Sequence, residues 1–514
     1  MNLFRQKREP MKLVILFGVL LSLIAIISGC GDRNQPGNNH SDATNQQESE
    51  SGQQSAKPFQ MSIMLSPAGE APKNDSEVKS ALEQLTDTKL AITFVPRPAY
   101  ADKFNVTLAS GDMPKALLAL DPKNANVVNS IQSGVFWEIG PYLKDYPNLS
   151  KLDPQALENS KFNGKIYGLI RSRGLGLHGI SFRKDWLDNV GLDEPKTIDE
   201  LYEVLKAFTL NDPDQNGKHD TYGLVESKDL ISFEDVSIFF GAPKGWGIQD
   251  GKMVPAFATK EYMDTLLFFK KLYDEKLMNT NFALLNSQQK KEEIKKGKAG
   301  LFVGPLNLMT AEFVSGTVQK EAVYDAVNAV DGPFGMRAIS TPGFYGMYLF
   351  PKSSNKTEED LRQALQFFDK ISGQEGMDLL HYGIRDDYYK VVDDRVVMNP
   401  EKSKIAQIES QFNHLAISPK SVATPLAMSP LEEKVKRLED ANQSIAVADK
   451  AYNLLSKTFT EKGAELTQIV NDASIKFIMG QIDNKDWDNM IAEWKEMGGN
   501  QVIQEYTEQL EANR

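Results

Sequence analysis

Cysteine is nearly absent from this sequence, because its 514 residues contain only Cys30. A single cysteine excludes an internal disulfide framework and any cysteine-based zinc or iron–sulfur site. The five histidines are scattered, and no two have a metal-ligand spacing. An excess of positive charge is also missing, since 70 acidic residues outnumber 58 basic ones and the net charge is −12. Such a chain repels phosphates, so we expect no nucleic-acid partner.

The N-terminus has the pattern of an export signal. Basic residues within positions 1–12 precede an apolar run at 13–27, which is short for a membrane-spanning helix. The run ends in Ile27-Ser28-Gly29-Cys30, which resembles a bacterial lipobox, where the cysteine is acylated and becomes the mature N-terminus. We therefore predict a lipoprotein signal peptide at 1–29, with lipidation at Cys30 and localisation on the outer face of the cell membrane. The alternative is an uncleaved anchor with an incidental cysteine.

The segment that follows is strongly polar. Residues 31–58 contain no Val, Ile, Leu, Met or aromatic residue, so they cannot bury enough apolar surface to offset their ordering entropy. We expect residues 30–58 to be the lipidated cysteine and a disordered tether with a mean span of roughly 30 Å. Removal of residues 1–29 takes away four positive charges and one negative charge, which leaves −15. An anionic body is not held by an anionic membrane surface, so lipid must anchor it.

The remaining sequence alternates strand-like and helix-like patterns. Residues 59–65 and 90–95 are predicted strands, and the spacing of 77–85 predicts a helix between them. Thr197 and Glu200 predict a capping box for a helix that extends to about Phe208. The region from about 430 to the C-terminus is predicted to be mainly helical. This alternation indicates an α/β protein with parallel sheets.

Residues 174–179 match the pattern GxGxxG. A dinucleotide site needs these glycines to lead from a strand into a helix, whereas strand-like residues 180–182 follow here. We therefore interpret the segment as a crossing between two lobes, where glycine supplies backbone freedom. Dinucleotide binding is the alternative.

Residues 212–220 match the first nine positions of an EF-hand calcium loop. The predicted oxygen ligands are the side chains at positions 1, 3, 5 and 9 and the carbonyl at position 7, namely Asp212, Asp214, Asn216, Asp220 and Lys218. Position 12 is Gly223, so the usual bidentate glutamate is missing, and Thr221 or a water would complete the shell. We predict a structural Ca²⁺ ion; the alternative is an Asp/Asn-rich turn that binds nothing.

No catalytic motif stands out, because the sequence lacks GxSxG, HExxH and a Walker loop. A glycosidase's carboxylate pair is defined in space and cannot be identified from spacing alone. A lipid-anchored polysaccharide-degrading enzyme therefore stays as an alternative. Trp246 lies in a Gly/Pro-rich loop, where an indole could stack on a sugar face, and core packing is the competing interpretation.

Seven stretches, in the expected order, resemble the bacterial extracellular solute-binding proteins of sugar-importing ABC transporters. The resemblance is strongest to a large Gram-positive lipoprotein branch near the alginate-oligosaccharide-binding proteins. The stretches are residues 163–168, 182–192, 195–208, 212–223, 239–246, 295–305 and 478–498. The resemblance implies a two-lobed periplasmic-binding-protein-like fold with a hinge and an interlobe ligand cleft. The implied first lobe is 59–176 with 346–402, the second is 177–345 with 403–514, and the crossings lie near 174–180, 341–347 and 400–406.

The resemblance also implies a function. A monomer without catalytic activity would capture a carbohydrate, an oligosaccharide, and deliver it to permease subunits in the membrane; a peptide ligand is the alternative. The residues that the resemblance places in the cleft are Asp112, Asp121, Arg173, Trp246, Asn307 and Tyr345. Arg173 gains importance if the sugar is acidic. The calcium loop is implied at the same five positions, although an acidic residue stands in the alginate binders where this chain has Thr221.

Overall fold

The protein is described here by a computed structural model that covers residues 58–512, except for the side chains of residues 311, 312 and 315. The predicted signal peptide, Cys30 and nearly all of the predicted tether lie outside these residues. Within the described part of the chain, no helix is long and apolar enough to cross a membrane.

The described residues alternate between strands and helices throughout. The strands are β1 Phe59–Leu65, β2 Thr88–Phe94, β3 Ala116–Ala119, β4 Gly168–Ser172, β5 His178–Arg183, β6 Tyr222–Leu224, β7 Trp246–Gln249, β8 Lys252–Pro255, β9 Ala299–Pro305, β10 Tyr324–Val327, β11 Asp331–Gly332, β12 Gly335–Met336, β13 Ala338–Ile339, β14 Phe344–Leu349, β15 Tyr389–Val392, β16 Arg395–Met398 and β17 Ala446–Val447. The helices are α1 Glu77–Thr86, α2 Arg97–Ser110, α3 Ala125–Gln132, α4 Pro154–Asn159, α5 Lys184–Val190, α6 Ile198–Leu210, α7 Ile231–Phe240, α8 Lys260–Asp274, α9 Ser287–Lys295, α10 Val314–Gly316, α11 Glu358–Ile371, α12 Gln374–Tyr382, α13 Ser403–Glu409, α14 Pro430–Asn442, α15 Lys457–Ile478, α16 Asn484–Trp494 and α17 Asn500–Ala512.

A five-stranded mixed sheet forms the centre of the first core. Its strand order is β2-β1-β3-β14-β4, in which β1 pairs in parallel with β2 and β3. Strand β14 runs antiparallel to both β3 and β4. The sheet packs against α1 and α11, and α12 packs on these two helices. The central strands of the sheet are apolar on both faces, as strands covered on both sides must be. The expected parallel pattern therefore holds for only half of this sheet.

A second core forms around a four-stranded sheet of order β10-β5-β9-β6. Strand β5 is antiparallel to β9 and β10, and β6 is parallel to β9. Helices α5, α6, α7, α8, α15 and α16 contribute large apolar side chains, including the fully buried Trp186 of α5 and Trp487 of α16. The predicted α/β class is confirmed, with mixed sheets in place of parallel ones.

The glycine-rich segment joins the two sheets. Strand β4 belongs to the first sheet and β5 to the second, so the chain passes from one to the other between Ser172 and His178. A Cβ atom at Gly176 would lie 2.5 Å from that of Asn442, and one at Gly179 would lie 2.7 Å from the carbonyl oxygen of Val327. These glycines permit close packing, and no helix follows them, so they do not form a dinucleotide fingerprint.

The last passage between the cores comes later than the predicted 400–406. Residues 403–423, expected in the second lobe, pack on the first core, where Phe412, Leu415 and Ile417 are fully buried. The hydroxyl of Tyr348, on β14, donates to the carbonyl of His414 at 2.7 Å. Helix α14 then packs on β5 and β10 of the second sheet. Residues 403–423 therefore pack with the first core, whereas the resemblance implied a boundary between 402 and 403.

Candidate functional site

Two adjoining cavities are lined by residues from both cores. The larger has a volume of about 940 Å³ and the smaller about 610 Å³. Asp121 and Tyr452 line both cavities, so the two adjoin at these side chains. Volumes of this size are typical of sites for small molecules.

Five of the six residues predicted for the cleft line these cavities. Arg173, Asn307 and Tyr345 line the smaller cavity, Trp246 lines the larger, and Asp121 lines both. Asp112 lies elsewhere, in the exposed turn after α2, where its backbone N–H donates to the hydroxyl of Ser110 at 3.3 Å. Asp112 lines neither cavity because helix α2 ends before it and turns the chain away. Contact of the other five with a ligand stays a prediction.

Trp246 is part of the second core rather than an exposed stacking surface. It is only 8% exposed and opens strand β7 rather than lying in a loop. Its ring centroid lies 5.0 Å from that of Tyr506 in an edge-on contact and 6.2 Å from that of Trp494. The indole therefore forms a fixed wall of the larger cavity, as the core-packing interpretation of the sequence expected.

Tyr345 is the exposed aromatic residue of the smaller cavity. Its side chain is 40% exposed near the start of β14, and the guanidinium of Arg97 lies 5.2 Å from its ring centroid. An exposed ring held in place by an arginine can present an apolar face to the C–H groups of a sugar. Strand β14 starts at one of the passages between the cores, so this ring sits where both cores are within reach.

Lys123 and Tyr452 were not predicted from the sequence, which gives no signal for them. The ammonium of Lys123 lies 4.7 Å from the ring centroid of Phe162 and 5.6 Å from that of Tyr452. It is buried without a hydrogen-bond partner. Burial lowers the pKa of Lys123 to about 8, against an opposing effect of the Asp449 charge. Only the fold brings these residues together, since they come from distant segments.

Acidic groups dominate the wall of the larger cavity. Burial raises the pKa of Asp449 to about 6, although backbone N–H donors and Lys244 oppose that shift. Burial also raises the pKa of the neighbouring Glu234. His178 lines the smaller cavity: burial lowers its pKa, but its 2.9 Å contact with Asp235 prevails and the net shift is upward. The ammonium of Lys244 donates to the carbonyl of Ser340 at 2.6 Å.

The predicted calcium loop is closed by its own hydrogen bonds. The Asn216 amide donates to Asp214 at 2.8 Å and to Asp220 at 3.1 Å. Lys298 also donates to Asp220, at 2.6 Å. The hydroxyl of Thr221 donates to a helix carbonyl, that of Phe208, and is directed away from the loop. Over residues 58–512, no group of three or more His, Cys, Asp or Glu side chains is arranged to hold a metal ion.

One feature of the loop nevertheless suits a cation. Oδ1 of Asp214 is buried and has no hydrogen-bond partner. Burial raises the pKa of Asp214, and the charges of Asp220 and Asp212 add to that effect. A carboxylate oxygen with no donor, beside two further carboxylates, is the kind of ligand that Ca²⁺ prefers. The residues present therefore fit the ion in part.

Residues 69–378 match the family described as bacterial extracellular solute-binding protein. The chain belongs to this family. It is 39% identical to Lipoprotein LipO of Bacillus subtilis (strain 168), over 88% of this chain and 92% of LipO. It is 37% identical to the polygalacturonan/rhamnogalacturonan-binding protein YtcQ of the same organism, over 96% of this chain and 98% of YtcQ. Family membership makes the chain a solute-binding component rather than an enzyme.

Solved structures share the fold. A human-milk-oligosaccharide (HMO) binding, ABC-transporter-associated solute-binding protein of Bifidobacterium longum infantis has a TM-score of 0.69 at 18% identity, covering 88% of this chain and 99% of that one. The alginate-binding protein AlgQ2 without calcium ion has a TM-score of 0.66 at 19% identity, covering 88% of this chain and 98% of that one. An EF-hand mutant of the Streptococcus pneumoniae protein FusA has a TM-score of 0.62 at 18% identity, covering 88% of this chain and 100% of that one. The fold class predicted from the sequence is thus the fold of these binding proteins.

Proposed function

We propose that this protein captures an oligosaccharide in the two adjoining cavities and delivers it to the permease subunits of an ABC importer. The observation that carries the proposal is that the two cavities adjoin at Asp121 and Tyr452, with the exposed ring of Tyr345 in the wall of the smaller one. A long, partly apolar site with polar groups along it suits a chain of sugar rings, whose C–H faces stack and whose hydroxyls form hydrogen bonds. The relatives YtcQ, a polygalacturonan/rhamnogalacturonan-binding protein, and FusA, a fructooligosaccharide ABC transporter substrate-binding protein, support this class of ligand.

The two cores correspond, in this proposal, to two lobes that close on the sugar as a monomer. The passages between the sheets would serve as the hinge, and closure would bring Lys123 and Arg173 of the first core towards the walls of the second. Lipidation at Cys30 would keep the protein on the outer face of the cell membrane, near its permease. The relative LipO, a lipoprotein by name, supports the anchor.

A calcium ion in the 212–220 loop is part of the proposal. The carboxylates of Asp212, Asp214 and Asp220, the side-chain oxygen of Asn216 and the carbonyl of Lys218 would hold it, and the ion would neutralise three neighbouring negative charges. The loop lies between α6 and β6 and contributes no residue to either cavity. Its role would therefore be to stabilise the second core.

A thermal-shift screen of the purified protein against neutral oligosaccharides, acidic oligosaccharides and peptides tests the function. We expect an oligosaccharide to raise the melting temperature and to be recovered at its original length by chromatography. Shortened sugars would contradict the proposal in favour of a polysaccharide-degrading enzyme. A rise in melting temperature with peptides alone would contradict the proposal in favour of a peptide-binding component.

A further inference from the structure

Three arginines converge behind and beside Tyr345. Arg173 lines the smaller cavity together with Tyr345. The guanidinium of Arg97 lies over the Tyr345 ring, and Nη1 of Arg171 donates to the Tyr345 carbonyl at 3.4 Å. Arg171 and Arg173 are both near the end of strand β4, so their positive charges are held close together by the strand itself.

None of these arginines is paired with a carboxylate. Within residues 58–512, the arginines that form ion pairs are Arg183, Arg362 and Arg395. Arg171 is only 1% exposed, and its Nε has no hydrogen-bond partner. The guanidinium of Arg173 makes a single hydrogen bond, to the neighbouring carbonyl of Ser172 at 3.4 Å.

The pKa values of His414 and Arg171 reflect the same uncompensated positive charge. Burial lowers the pKa of His414 to about 3, and Arg171, Arg173 and Arg97 lower it further in that order. The groups that shift the pKa of Arg171 are tyrosines and other arginines, with no carboxylate among them. His414 therefore stays neutral at pH 7, and the positive charge belongs to the arginines alone.

Charge is divided between the two cavities. Asp229, Glu234 and Asp449 line the larger cavity, whereas Asp121, at the shared edge, is the one carboxylate that lines the smaller. Arg171 is buried without a carboxylate partner, which is unfavourable for folding, whereas Arg97 and Arg173 are exposed to solvent. Arg173, the one of the three that lines the smaller cavity, has no ion-pair partner among residues 58–512, so its guanidinium is available to a ligand carboxylate there.

We infer, on the basis of the proposed function, that the oligosaccharide is carboxylated and that the smaller cavity is the subsite for one of its carboxylates. Arg173 donates to this carboxylate, in the forked geometry that a guanidinium and a carboxylate share. Tyr345 packs against the sugar ring that carries it. Arg97 and Arg171 position Tyr345 and add to the local positive potential, while neutral hydroxyls occupy the more acidic larger cavity.

Titration calorimetry with trigalacturonate, trimannuronate, their methyl esters and neutral kestose tests the inference. Esterification removes the charge and keeps the sugar ring. We therefore expect one of the two uronates to bind at least about tenfold tighter than its own methyl ester, and this ratio of affinities to fall as the salt concentration is raised. Arg173→Gln should weaken binding of that acid by about tenfold or more and change binding of the ester little. Arg173→Lys, which keeps the charge and loses the fork, should be intermediate. The control is Arg437→Gln, because Arg437 is exposed and lines neither cavity.

Three outcomes overturn the inference. Equal affinity for acid and ester would show that no carboxylate is recognised. An equal effect of Arg173→Gln on both ligands would show that Arg173 only shapes the cavity. Binding of kestose with no binding of either acid would assign a neutral ligand and leave the proposed function intact, whereas the thermal-shift screen decides whether any sugar binds at all. The melting temperature of each variant, which should match that of the unmodified protein, establishes that it is folded.

Discussion

At the scale of single residues, Lys123 carries a charge where a charge is unfavourable. Its ammonium is buried without a hydrogen-bond partner between two aromatic rings. Burial lowers its pKa to about 8, from an ordinary value of 10.5. Between these two pH values the unfolded chain binds a proton that the folded protein has lost, so the stability contributed by this group rises with pH from about 8 to 10.5.

We predict that Lys123→Met stabilises the protein at pH 7 by about 1–3 kcal/mol, because it removes the desolvated charge and keeps much of the apolar contact. The advantage should shrink as the pH rises from about 8 towards 10.5, where the unmodified Lys123 becomes neutral in the folded state. Asp449, whose pKa is about 6, is already ionised over this pH range and does not change the direction of the pH dependence. Urea unfolding at several pH values measures the difference, and exposed Lys103→Met is the control. If Lys123→Met were less stable than the unmodified protein at pH 7, the cation–aromatic contacts would outweigh the cost of burying the charge.

Sequence reasoning found some of the cavity residues and missed others for a physical reason. Arg173 and Tyr345 were placed in the cleft by their position at the crossings that the resemblance implied, and both line the smaller cavity. The burial of Trp246 depends on Trp494 and Tyr506, which follow it by some 250 residues, and no local pattern reports such contacts. The same holds for Lys123, whose neighbours Phe162 and Tyr452 come from separate segments of the chain.

At the scale of elements, local patterns were reliable where the chemistry is local. Helix α6 begins as predicted, since the Thr197 hydroxyl accepts from the backbone N–H of Glu200 at 3.2 Å. The Glu200 carboxylate accepts from the N–H of Lys196 rather than of Thr197. Helix α13, by contrast, packs on the first core, although the boundary implied by the resemblance placed it in the second lobe.

We predict that the loop between α6 and β6 gives the protein a melting temperature that depends on calcium. An ion that binds only the folded state adds about 2.7 kcal/mol at a hundredfold excess over its dissociation constant. Chelator should therefore lower the melting temperature, and Asp214→Ala, which removes the unpaired buried oxygen, should abolish that dependence. Exposed Asp193→Ala in the same core is the control. Loss of sugar binding on chelation, with no loss of stability, would instead place the ion in the cleft.

At the scale of the whole molecule, the order of strands and helices indicated the α/β class, and the resemblance of ordered stretches indicated two lobes. The sequence could not show that β14 and β4 run antiparallel to their neighbours, nor that residues 403–423 return to the first core. Both depend on contacts between segments far apart in the chain. The charge pattern of the cavities is likewise a property of the assembled fold, because it arises from segments near residues 121, 173, 234 and 449.

The position of the protein in the cell depends on one residue in our proposal. Without residues 1–29 the net charge is −15, so an anionic membrane would repel the protein and only a lipid on Cys30 would retain it. We predict that Cys30→Ala, expressed in a bacterium with a single membrane, leaves the protein unprocessed or releases it into the medium. Immunoblots of membrane and medium fractions measure the distribution, and mass spectrometry of the mature N-terminus detects the lipid. The control is Ser41→Ala, which keeps Cys30 and should stay in the membrane fraction. Retention of a processed Cys30→Ala protein on the membrane would show that another contact holds it there.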